Sequence, residues 1–319
     1  MGFGSYVARR LLLIIPTFFL LTILIFILVH LAPGDPLDVM GGMRPAPGWL
    51  KDEIRKNFGL DQPLYTQYII WLSNALRGNL GYSYFSGQWI GVIISDLAWK
   101  TLELTLTSQL ISIILAIALG VIAAVKKGSK IDNVLSVFSL FGYAMPVFWL
   151  ALLFILFFAL NLGLFPTSGY ATIGQPFSLF DHLRYLILPV SVYVIHGVAY
   201  NFRLVRSAMI EVLSKPYIIT ARSKGLSERA VIYKHAFRNA LLPVITALGM
   251  EMGFLLSGSV VLESIFAWPG LGRFIWNGAL SRDYPAVMGS SFIIIIMVLI
   301  ANVGTDIAYH IVDPRVEYE

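Results

Sequence analysis

Residues 217–243 read YIITARSKGLSERAVIYKHAFRNALLP, a basic stretch of helical character set between two apolar runs. Gly225 divides it. A glycine there can take the left-handed conformation that ends a helix, Ser227 can cap the next helix, and Glu228 then sits near that helix's positive end. The expected structure of residues 210–240 is therefore helix, glycine turn, helix, continuous with the apolar runs on either side. A basic internal loop can serve only to set topology, and for the eight Lys and Arg of 203–239 taken singly that account suffices. It does not explain the helix-turn-helix shape.

Working outward, six apolar runs are long enough to cross a bilayer, which takes about 20 residues. They lie at approximately 11–31, 101–125, 133–160, 186–209, 240–262 and 288–310. The chain of 319 residues is 57% hydrophobic and 13% charged, with a mean hydropathy of +0.77. No soluble core of this size could hide that much apolar surface, so the expected class is an all-α polytopic membrane protein with six transmembrane helices. The net charge of +5 comes from basic residues separated by long apolar runs, which argues against a nucleic-acid-binding face. With no cysteine in the chain, disulfide frameworks and thiolate metal or redox sites are excluded. The first run follows Arg9 and Arg10 as a signal peptide would, but it is too long for an h-region and no cleavage pattern follows, so it is read as a retained helix.

Of the 23 Lys and Arg, 14 fall in the stretches 1–10, 126–132, 203–239 and 311–319, which places both termini in the cytoplasm. Three regions result: a tail and first helix at 1–32, an external insertion at 33–100, and a core of five helices at 101–319. The insertion has helical patterning of its own. Asp61 is the expected cap of a helix starting near Pro63, with Leu64, Tyr68, Trp71, Leu72 and Ala75 on one face. That face is expected to pack on the membrane domain, and docking of an external partner is its alternative use.

Ionisable groups inside spans are costly and should face protein or a wetted path. Glu251 stands between Gly249 and Gly253, which with Ser257 form a small-residue ridge suited to close helix packing. Two positions along a helix are about 200° apart, so Glu251 points away from that ridge. It either lines a path or hydrogen-bonds in its protonated form. His196 presents the same choice, between a path residue and a paired interface histidine. Glu103 and Asp306, nearer span ends, suit wetted or paired structural roles. Pro146, Pro189 and Pro243 are each expected to kink a span.

The stretch 217–243 resembles the cytoplasmic EAA loop of ABC importer permeases, in the dipeptide, oligopeptide and nickel subgroup. Ile219, Thr220 and Ala221 occupy the E-A-A places, Gly225 matches, and Leu242-Pro243 closes the pattern within a subgroup-like ending from His235. Ile219 replaces the general Glu. Further matches run from RRLLLIIPT and LAPGDP through GLDQPLYTQY, GNLGYS and PVFW to FAWPGLGR, RDYP and DPR. The resemblance implies a type I importer fold with a helical insertion on the periplasmic or extracellular side, and a B-type permease in a prokaryotic plasma membrane. It also implies a second related permease, two ATPase subunits holding ATP and Mg, and an external solute-binding protein. Thr220, Ala221, Arg222, Lys224, Gly225 and Leu226 would then couple to the ATPase. The chain itself has no G-x-x-x-x-G-K-[ST], so ATP is expected to bind elsewhere and the chain to be a transport subunit, not an enzyme. Peptides are the expected substrate, with nickel complexes, glutathione and oligosaccharides as alternatives. An ion-coupled secondary transporter is the rival of a different class, and it gives the 210–240 loop no use. An intramembrane protease is weaker still, because the spans lack H-E-x-x-H and G-x-S-x-G.

Overall fold

The computed structural model describes residues 3–31, 61–241, 244–245 and 260–312. The helices in chain order are α1 Phe3–Leu31, α2 Leu64–Leu76, α3 Ile90–Val125, α4 Lys130–Ala144 and α5 Val147–Phe154. They continue with α6 Leu179–Leu213, α7 Pro216–Ser223, α8 Glu228–Ala230, α9 Val260–Ile265, α10 Leu271–Leu280 and α11 Tyr284–Val312. Wider π-helical turns extend α5 through Ile155–Asn161 and α8 through Val231–Ala236. Among the described residues there is no strand, only an isolated bridge between Tyr82 and Trp89.

Among the described residues four helices are long and apolar enough to cross a membrane: Leu12–Leu31, Ile90–Val125, Leu179–Leu213 and Tyr284–Thr305. The run read as one span at 133–160 is two helices, α4 and α5, bent by 101°. Pro146 is the physical reason. It lacks an N–H and pushes the preceding residue out of the helical region, and Met145 is extended at φ −77°, ψ 125°. The break is thus sharper than the expected kink. Pro189, by contrast, lies buried inside a continuous α6. Most of the expected span at 240–262 lies outside the described residues, and with it Pro243, Gly249, Glu251, Gly253 and Ser257. The side chain of Asp306 is also outside them.

The chain divides into two compact units. One is drawn from 1–101, 256–260 and 269–303. Within it, α2 turns the expected face inward: Leu72 and Ala75 are buried with Leu80, Ile90, Leu271, Ala286 and Phe292, and Tyr68 and Trp71 pack against them. Leu64 remains exposed. Asp61 does not cap α2. The N-cap is Pro63, without a side-chain bond, and its carbonyl accepts from the Thr66 and Gln67 amides at 2.9 and 3.1 Å. Tyr68 and Thr22 of α1 share a hydroxyl hydrogen bond of 3.0 Å. The Asp283 carboxylate organises the 81–90 turn, accepting from the Ser83 hydroxyl and, at 3.1 Å, from the Tyr84 amide. Burial first, then the neighbouring Asp283 and Tyr284, push the Tyr84 phenol up to about 12.

The other unit is drawn from 102–255, 261–268 and 304–319. Its α3 and α6 segments approach closely at two glycines. A Cβ on Gly120 would stand 2.7 Å from Val205 Cγ1, and one on Gly197 would stand 2.5 Å from Ser112 Oγ. Small residues at such crossings let membrane helices gain dispersion contacts where no hydrophobic force separates protein from lipid. Helix α4 lies against α6 in the same manner, with the Ser139 hydroxyl donating to the Ala199 carbonyl at 2.8 Å. Glu103 has the paired structural role expected of it. Its carboxylate meets His182 Nε2 at 2.6 Å and accepts from the Tyr170 hydroxyl at 3.1 Å, beneath the fully buried Trp268.

Candidate coupling surface and membrane path

The loop expected at 210–240 is a helix, a glycine turn and a second helix. Pro216 sits at the start of α7, where its missing N–H costs nothing. The helix ends at Lys224, whose amide reaches the Thr220 carbonyl at 3.1 Å, and Gly225 follows at φ +76°. Ser227 caps α8, its hydroxyl accepting from the Ala230 amide at 3.4 Å. The loop's inner face is apolar. Ile218, Ala221, Val231 and Ala236 are buried in one cluster with Val121 and Ala124 of α3 and with Val205, Ala208 and Met209 of α6.

The outer face carries Tyr217, Ile219, Thr220, Ser223, Lys224, Leu226 and Tyr233, all exposed. Ala221 therefore lies on the inside of the loop, whereas Thr220, Lys224 and Leu226 lie on its surface. The Thr220 hydroxyl is turned back to the Pro216 carbonyl at 3.1 Å. Arg222 is committed within the loop: its Nε donates to Glu228 Oε1 at 2.8 Å and a terminal nitrogen donates to Oε2 at 3.3 Å. Glu228, expected to serve the helix dipole, also closes the glycine turn by this fork. Apolar and aromatic side chains around Lys224, which has no ion-pair partner among the described residues, make a surface suited to a protein groove.

Inside the span, His196 stacks on Tyr143 of α4 at 6.0 Å, and its buried Nδ1 has no hydrogen bond among the described residues. Its described partner on the neighbouring helix is thus aromatic and not ionic. The same two helices share an ion pair of Asp132 with Arg206, bidentate at 2.6 and 2.8 Å. Sequence reasoning misses it, because Arg203 and Arg206 count among the cytoplasmic basic residues. The signal is weak: Asp132 looks like a capping acid of α4, and only the antiparallel pairing of α4 and α6 brings it to Arg206.

A many-helix membrane protein whose basic helix-turn-helix is sewn into two of its membrane helices belongs among transport permeases. The chain is a member of the binding-protein-dependent transport system inner membrane component family, whose model matches residues 116–318, and the N-terminal model of the same systems matches residues 4–105. Over 316 residues it is 41% identical to the oligopeptide transport system permease protein AppB of Bacillus subtilis, covering 99% of this chain and 100% of that protein. Over 333 residues it is 39% identical to the di/tripeptide transport system permease protein DppB of Pseudomonas aeruginosa, covering 99% of each. Its fold is similar to a chain of the MetNI methionine ABC transporter in an inward-facing form. The TM-score is 0.56 at 17% identity, over 69% of this chain and 96% of that one. The protein is therefore a multi-pass permease subunit with the type I importer fold.

Proposed function

We propose that this permease forms part of the path for di- and oligopeptides in an ATP-driven importer, and that residues 216–241 couple it to a separate ATPase. The observation that carries the coupling is the two-faced loop, with Ala221 and Ile218 locked into the ends of α3 and α6 and Ile219, Lys224 and Leu226 presented outward. In this reading the outer face seats in a groove of the ATPase, and movement of that groove is transmitted through the shared apolar core. Thr220 and Gly225 contribute shape, Lys224 charge, and Arg222 holds the turn through Glu228. Peptide import is supported by the relatives that span the whole chain at 41% and 39% identity.

The remaining partners follow from the family: a second related permease, two ATPase subunits carrying ATP and Mg, and an external solute-binding protein in a prokaryotic plasma membrane. His196 and Glu251 are the candidates for residues that line the path. Both termini are assigned to the cytoplasm by the charge bias. The test is to co-express the chain with its genomic neighbours, purify through a tag on this chain, and measure ATP hydrolysis in lipid with and without the binding protein. Co-purification and a binding-protein-stimulated ATPase are expected. Uptake that persists without nucleotide under a clamped ion gradient would instead indicate a secondary carrier.

A further inference from the structure

His196, Tyr200 and Arg203 follow one another at helical spacing along α6 and all meet one ring, Tyr143 of α4. The Tyr143 ring lies at 12° to His196 and at 25° to Tyr200, with centroids 6.0 and 6.4 Å apart. The Arg203 guanidinium carbon stands 5.2 Å from the centroid of the same ring. Tyr143, Tyr200 and Arg203 are exposed. Among the described residues Arg203 has no carboxylate partner, whereas Arg206 is paired with Asp132.

Depth makes that arrangement expensive unless it is used. Tyr143 stands eleven residues beyond Asp132 on α4, about 16 Å along the helix, which is roughly half of a bilayer's hydrocarbon thickness. Helical side chains lean toward the N-terminus of their helix, so Arg203 reaches back over Tyr143, into the span and away from the end where Arg206 meets Asp132. A long cation near a span end would ordinarily snorkel outward to the interface. This one is aimed the other way, where contact with lipid costs a few kcal/mol.

We propose that the Tyr143, His196, Tyr200 and Arg203 face lines the wetted translocation path and that Arg203 binds a carboxylate of the passing substrate. The proposal rests on the importer reading above and adds a substrate-contacting residue to it. Guanidinium is suited to carboxylate by its planar fork of N–H donors. The cation–π contact with the Tyr143 ring supports the guanidinium without neutralising it as a carboxylate of the protein would. Short peptides of varied sequence have only their main chain and their termini in common, so a site that reads a terminal carboxylate passes all of them.

The chain contains no cysteine, so Tyr200→Cys introduces its only thiol. In the assembled transporter in lipid, that thiol is reacted with matched anionic and cationic methanethiosulfonates. Labelling is expected, and adding Arg203→Gln should lower the ratio of anionic to cationic rates about fivefold, as for loss of one unit charge roughly 9 Å away across a water-filled path, acting with opposite sign on the two reagents. Arg203→Lys should keep most of that ratio. For uptake, the advantage of a free-acid peptide over its C-terminal amide should shrink about tenfold in Arg203→Gln, with binding-protein affinity for each peptide measured separately. A thiol that stays unlabelled overturns the inference, since the face is then covered by lipid or by a partner chain, and a ratio that Arg203→Gln leaves unchanged overturns it because the guanidinium then does not act on anions in the path. Equal slowing of acid and amide overturns it as well. Charge-dependent labelling in a complex that carries no peptide supports the anion site and overturns only the peptide reading.

Discussion

Gly225 occupies the left-handed region at φ +76°, with open space where a Cβ would project. The obstacle to replacing it is therefore the backbone conformation and not a clash, a cost of about 1–2 kcal/mol for most residues and less for Asn. Gly225→Val should give a folded permease that recovers less than a tenth of the ATPase on the tag, and Gly225→Asn should recover nearly all of it. Asp132 is a different case. Its side chain is 2% exposed against 27% for Arg206, so Asp132→Ala leaves a cation half-stranded and should cost about 3 kcal/mol. The check is thermal unfolding in detergent, where adding Arg206→Met should recover part of the loss. The turn at Gly225 was legible because a glycine between two helical runs, followed by a serine, has one economical reading. Arg222 was not. Its fork to Glu228 spans six residues and exists only once the turn has folded, and charge counting sees a basic residue but not its partner.

The elements show where pattern and packing part company. The apolar content of 133–160 reads as one span, and hydropathy cannot distinguish a straight crossing from two helices at 101°. Pro146 was the available clue, and its effect is larger than a kink because Met145 also leaves the helix. Likewise α3 begins at Ile90, well before the apolar run that betrays it, because its first turns are amphipathic and bury Ile90 and Ile94 in a local core. The α3 and α6 contact offers a test at this scale. A methyl at Gly120 would sit 2.7 and 2.8 Å from Val205 Cγ1 and Cβ and 3.2 Å from the Arg206 amide. Gly120→Ala should therefore destabilise by about 1–3 kcal/mol. Val205→Ala should restore only part of this, since its Cβ and the Arg206 backbone remain in the way. Unfolding temperatures of the two single variants and the double variant decide it.

For the whole molecule, composition alone settled the solvent: membrane helices in sequence order, with a separately patterned stretch after the first. The family motifs then fixed the kind of machine, which no hydropathy plot could have done. The side of insertion is proposed from charge bias, and it is testable because the chain is free of thiols. Phe85→Cys, on the exposed 81–90 turn, should react with an impermeant thiol reagent added outside intact cells, and Lys224→Cys should react only after the membrane is opened. The reverse pattern would invert the topology.

The buried side of the 216–241 segment is composed as much of Val121, Ala124, Val205 and Met209 as of its own Ile218, Ala221 and Val231. It is not a detachable module. A chimera that imports this segment alone from a relative, to redirect the permease to another ATPase, inherits a surface cut for different neighbours and should pack poorly. Grafts that carry the adjoining ends of both membrane helices with the segment should be the ones that work. With the segment seating the ATPase as proposed above, partner choice would be inherited in blocks larger than the contact surface itself.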